Sequence, residues 1–263
     1  MNFIDKENMY ANNYNALSLC EYTRELKLIK RLIDIADETI EKKGLVDVWS
    51  FEGVCHSFAR TIVDYSKMAY DNILLGHFHA TNMINRAILE NSVCLDIIIN
   101  NHEYELWKYY LIYSCRSVIY KSNRKPDKKE LEDLEAMYRN FSISEDFYII
   151  QESRKKAYIK EPYGWTYKIN TNNLFNFENI CKLAKSPGAY KGFQLMSDYS
   201  HGTSFYLKMF SSVFAGDIMS ILHSLYIELY IMITLYCQDL VDKEFYKISE
   251  ELELIFCEFL EEE

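Results

Sequence analysis

The chain has 263 residues, 49% of them hydrophobic, enough for one large or two small domains with a sizeable core. Only 8 Gly and 3 Pro occur, which argues against turn-rich β architectures and disordered linkers. The formal net charge of −10 and a pI near 5.2 exclude general nucleic-acid binding through a basic surface, leaving room only for a local basic patch.

In chain order, the spacing of Leu26, Ile29, Leu32, Ile33 and Ile40 predicts an amphipathic helix over 15–43, with Gly44 as its C-cap. Ser50 is a candidate N-cap for a second helix reaching Leu75. After a small bend at Gly76-His77-Phe78-His79, a strongly periodic run from Asn82 to Asn100 predicts a third helix. An aromatic-rich helix follows from Glu103 to Lys121, in which Trp107, Tyr109, Tyr110 and Tyr113 could supply a dimer interface. A further amphipathic helix is expected from Asp127 to Tyr138. Lys121 to Lys129 carries five basic residues beside one acid, and Arg154-Lys155-Lys156 forms a second basic cluster. Solvated surface is the plain explanation of both.

Residues 161–190 change character. Pro162-Tyr163-Gly164-Trp165-Thr166, Asn170 to Asn173 and Ser186-Pro187-Gly188 read as turns, with one short helix from Phe177 to Lys185 between them. A helix then runs from Ala189 to His201, stopped by Gly202. The segment from Phe205 to Cys237 is the most apolar of the chain. Asp217, His223 and Glu228 interrupt it, which favours a buried bundle helix over a membrane span. A last amphipathic helix is expected from Ser249 to Glu263. No strand of convincing period and no internal repeat is visible. The expected fold is all-α: a multi-helix bundle over 71–263, with a helical extension over 1–70 packed on it.

The seven cysteines include no C-x-x-C pair, and the N-terminus lacks the basic-then-apolar order of a signal peptide. Reduced thiols and a cytoplasmic protein are therefore expected. His77 and His79 point about 200° apart on a helix and cannot share an ion. No zinc, phosphate-loop or dinucleotide motif is present, so neither metal nor cofactor is expected.

Two helices place polar residues among apolar neighbours. Arg86 and Glu90, at i and i+4, share a face flanked by Ile84, Ala87 and Ile88. Their plain reading is an exposed ion pair. Ser197, Asp198 and His201 lie at helical spacing beside Phe193, Leu195 and Met196, and either Ser197 or Asp198 could orient the imidazole. A structural histidine at a helix end is the plain alternative.

Taken together, Arg86-x-x-x-Glu90, Tyr163-Gly164-Trp165-Thr166 and Tyr190 with Ser197-x-x-x-His201-Gly202 resemble an all-helical family of unknown function, DUF5677, across about Tyr70 to Asp239. Thr166-Tyr167 stands where that family's turn has a Ser-Gly pair. The resemblance also implies distant similarity to HEPN domains of phage-defence and toxin systems. The usual HEPN arrangement, Arg four to six residues before His on one helix, is absent from this sequence. A ribonuclease would therefore need Arg86 and His201 to meet from different helices. His201 would move the 2′-hydroxyl proton and Arg86 would offset phosphorane charge, oriented by Glu90, Asp198 and Ser197. RNA or a protein partner, a homodimer and no membrane are the expected associations. The rival expectation is a non-catalytic interaction or ligand-sensing module in which the same residues lock two helices together.

Overall fold

A computed structural model describes residues 21–121, 127–143, 163–172, 174–200 and 214–262. Nine α-helices and three 3-10 turns, and no strand, occur among the described residues, so the fold is all-α. The helices are α1 (Thr23–Lys43), α2 (Phe51–Leu74), α3 (Phe78–Asn100), α4 (Leu106–Lys121), α5 (Lys128–Asn140), α6 (Phe177–Leu183), α7 (Pro187–Ser200), α8 (Phe214–Tyr236) and α9 (Lys243–Glu262). They divide into two compact units, one formed by Met1–Gly44, Phe58–Ser92 and Lys191–Glu263, the other by Leu45–Ser57 and Val93–Tyr190.

The first unit is built on α1, α8 and α9, which pack on one another. Leu26, Ile29, Ile33, Ala36 and Ile40 form the buried stripe of α1. Gly44 ends it with a positive φ of 73°, donating its N–H to the Glu41 carbonyl. The polar face of α1 bonds to its neighbours. Arg24 pairs with Glu251 at 2.6 Å and Arg31 with Glu244 at 2.7 Å on α9, while Asp37 receives Arg60 at 2.8 Å and Lys67 at 2.6 Å from α2.

Helix α8 is apolar on most sides and buries Ile218, Leu222, Leu225, Leu229, Met232 and Ile233. Tyr226 and Tyr230 face α9. Tyr230 stacks on Phe245 at 5.6 Å, and Tyr226 stacks on Phe256 at 5.7 Å while donating its hydroxyl to the Ser249 carbonyl at 3.3 Å. By length and composition, Ile218–Tyr236 could cross a membrane, with a mean hydropathy of 1.7. In the fold, 56% of that window is buried.

Two helix boundaries differ from the sequence expectation, and both have local causes. Between α2 and α3 the chain breaks fully. Gly76 takes a φ of 73°, and two bonds close the end of α2: Gly76 N–H to the Ile73 carbonyl, and His77 N–H to the Asn72 carbonyl. This paired pattern is the Schellman ending that a left-handed glycine permits. Helix α9 starts at Lys243 rather than Ser249, because the Asp242 carboxylate accepts from the Glu244 and Phe245 N–H groups at 3.0 and 3.2 Å.

The second unit is assembled on α4, which packs against α5 and the Gly164–Thr166 turn. Asp127 and Glu130 close a reciprocal capping box at the start of α5. The aromatic stretch of α4 is spent inside this unit. Tyr109 and Tyr113 are buried, Tyr110 meets Trp165 edge-on at 5.5 Å and Trp107 meets Phe141 at 5.5 Å, so these rings do not form the exposed patch expected of a dimer surface.

The 163–186 region is a structural knot of turns. Trp165 is 1% exposed, the Thr166 hydroxyl donates to the Tyr163 carbonyl at 2.8 Å, and Asn179 bridges to Asn170 at 3.0 Å. Asn170 in turn donates to the Leu174 carbonyl at 2.9 Å, and Asn176 caps α6.

The same unit holds the turn that leads into α2. Asp47 accepts from the Trp49 N–H at 3.0 Å, and the Ser50 hydroxyl caps the Gly53 N–H at 3.0 Å, as expected of that serine. A Cβ at Gly53 would fall 2.0 Å from the Asp47 carbonyl oxygen. Gly53→Ala is therefore expected to push the turn off the helix, at a cost of roughly 1–3 kcal/mol for an overpacked site. Chemical denaturation followed by tryptophan emission checks this, and a wild-type midpoint with unchanged emission would count against it.

Candidate functional site

In the first unit, α3 and α7 meet. The Arg86 guanidinium lies over the Phe193 ring at 4.2 Å from its centroid. A Cβ at Gly192 would stand 3.8 Å from a Leu89 methyl, an ordinary contact, so α7 lies close to α3 at this point. The two helices therefore touch through Arg86 and Phe193, while the expected partners Ser197 and His201 fall outside the described side chains.

The individual residues stand as follows. Arg86 is half-buried and makes no hydrogen bond or ion pair among the described residues. Its guanidinium lies over an aromatic face, and Glu90, one turn on along α3, is also half-buried. A stacked guanidinium keeps its planar fork of N–H donors available for bidentate contact with phosphate or carboxylate. Ser197 and Asp198 lie in the last turn of α7. Their side chains, and His201 altogether, lie outside the described residues, as do Arg154-Lys155-Lys156 and most of the loop before Asp127.

Three residues that sequence reasoning did not join to this site line the other side of α3. Asn85 is 1% exposed and donates to the Ile221 carbonyl on α8 at 3.3 Å, while its own side-chain carbonyl has no partner among the described residues. Seven residues on, the buried Ser92 bonds to Glu228, seven residues beyond Ile221. Matching two-turn steps on both helices mean that α3 and α8 run in the same direction along this seam. Burial pushes the Glu228 carboxyl up to about 7, and the Ser92 hydroxyl, donating to it, offsets that only in part.

A hint was legible in the sequence: Glu228 interrupts an apolar run, and Asn85 and Ser92 are seven apart. What could not be read is that the two patterns face each other. His223 packs against Phe256 at 4.8 Å, and its burial lowers its basicity. No group of three or more His, Cys, Asp or Glu side chains able to hold a metal ion occurs among the described residues.

The chain separates its polar chemistry into two parts. The α3–α8 side is closed, with Glu228 and Asn85 inside a helix interface. The α3–α7 side holds a cation with one face packed and its donors uncommitted among the described residues.

Comparison with known proteins adds one family. Residues 52–216 match the family described as "Family of unknown function (DUF5677)". No curated protein matches the chain, and no solved structure does. The matched stretch begins earlier and ends earlier than the Tyr70 to Asp239 span expected from the motifs. It includes Arg86, Glu90, the Tyr163–Thr166 turn, and the Ser197 to His201 stretch. It leaves out α1, most of α8, and α9. Covering more than half of the sequence and all the motif positions, this match places the chain in the DUF5677 family.

Proposed function

We propose that this chain is a HEPN-like helical effector of bacterial stress or phage defence, with a metal-independent RNA site on α3 and α7. The observation that supports it is Arg86, stacked on Phe193 with its N–H donors uncommitted among the described residues. That is the arrangement of a cation kept ready for a phosphate. In this reading His201 moves the 2′-hydroxyl proton, Ser197 or Asp198 orients it, and Arg86 meets the developing charge, held by Phe193 beside Glu90.

Purified protein incubated with total RNA, beside His201→Ala and Arg86→Ala, tests the reading. Each variant is expected to lose cleavage by about a hundredfold or more, the usual worth of a general base or of an electrostatic stabiliser, with helix content unchanged. Wild-type protein that neither cleaves nor retains RNA at low salt would overturn the proposal.

A second reading, a non-catalytic interaction or ligand-sensing module, draws support from the seam of Asn85, Ser92 and Glu228, which spends polar groups on fixing α3 against α8. It predicts that Arg86→Ala lowers stability by separating α7 from α3 and alters no reaction.

A further inference from the structure

The second unit contains an open cavity of about 780 Å³ that the α3–α7 site does not use. This is within the range of pockets for small molecules. Its apolar lining comes from Leu134, Met137, Phe141, Val118, Cys115 and Trp49. Trp49 is half exposed, yet the Asp47 turn and the close approach permitted by Gly53 hold its backbone in place.

The ionised groups at the cavity have one sign. Glu130 and Asp133 lie one turn apart on α5 and both line it, and no basic side chain lines it among the described residues. Glu130 is tied to the capping box. Asp133 is exposed and makes no hydrogen bond or ion pair among the described residues; Lys128 pairs with Glu132 at 3.3 Å, and Lys129, one turn before Asp133, does not pair with it. An apolar hollow with aromatic rings and an uncommitted carboxylate in its lining complements a molecule with an apolar body and one positive end.

We propose that this cavity binds a small amphipathic amine, its apolar body seated between Met137 and Phe141 beside Trp49 and its ammonium group on Asp133. The Cys115 thiol, whose ionisation is suppressed by burial, serves as packing surface for the apolar end.

Calorimetric titration with 4-phenylbutylamine, 4-phenylbutanol and 4-phenylbutyrate separates charge from shape. The amine is expected to bind one to one, about tenfold more tightly than the alcohol, with the carboxylate weakest, a tenfold step being about 1.4 kcal/mol. Asp133→Asn, an exposed substitution that leaves the core alone, should equalise amine and alcohol. Ala136→Trp, which fills the cavity from α5, should abolish binding of both while circular dichroism remains that of the native protein. The proposal is overturned if the amine shows no binding at millimolar concentration. It is also overturned if the carboxylate binds as well as the amine, or if the Asp133→Asn protein still prefers the amine over the alcohol to the same degree.

Discussion

Replacing Glu228 by Gln should remove most of a fall in stability that the wild-type protein shows between mildly acid and mildly alkaline pH. The carboxyl titrates near 4.5 when solvated and near 7 in the fold, because burial between α3 and α8 disfavours its charged form. A group whose folded pKa is raised binds more protons in the native than in the unfolded state across that window. Its contribution is therefore fully present below pH 4.5, and it is lost as pH rises through 7. The interval corresponds to about 3 kcal/mol. His223 acts with the opposite sign: its basicity is lowered by burial, so it adds stability as pH rises toward its ordinary value of 6.5. The two are separable, because the Glu228 contribution continues to fall above pH 6.5. Urea midpoints at pH 5.5 and pH 8 for wild type and Glu228→Gln provide the measurement. A difference between wild type and Glu228→Gln that is the same at both pH values would mean that Glu228 keeps access to solvent.

The second large effect is expected at Trp165. The ring is 1% exposed and receives Tyr110 edge-on, between buried Tyr163 and Thr166. Trp165→Ala should cost about 3–5 kcal/mol, the range for removing a buried indole whose surroundings relax only partly. Loss of near-ultraviolet dichroism and a lowered denaturation midpoint would report it. The adjacent Thr166 explains how this chain departs from the Ser expected at that turn. Its hydroxyl makes the bond to the Tyr163 carbonyl that a serine would make. Thr166→Ser is accordingly expected to be mild, whereas Thr166→Val should cost about 1 kcal/mol for the lost bond. Equal losses for the two would assign the role to the methyl group instead.

Local patterns by themselves determined the helices. The stripe of Leu26, Ile29, Ile33 and Ile40, the serine before α2, Asp127 before α5 and Asn176 before α6 each specify an element through contacts within a few residues. The family was legible for a related reason, since its motifs are short and local in sequence. Partnership was not legible. Arg86 carries two plausible neighbours in sequence, Glu90 one turn away and an aromatic on another helix, and only the packing of α7 on α3 selects Phe193. The rings of Tyr109 and Tyr113 read equally well as core or surface until the Gly164–Thr166 turn closes over α4. Asn85, Ser92 and Glu228 each looked like an isolated interruption. Burial of polar groups is tolerable only where partners meet, and which partners meet is a property of two helices lying side by side, 136 residues apart in the chain at the Asn85–Ile221 bond.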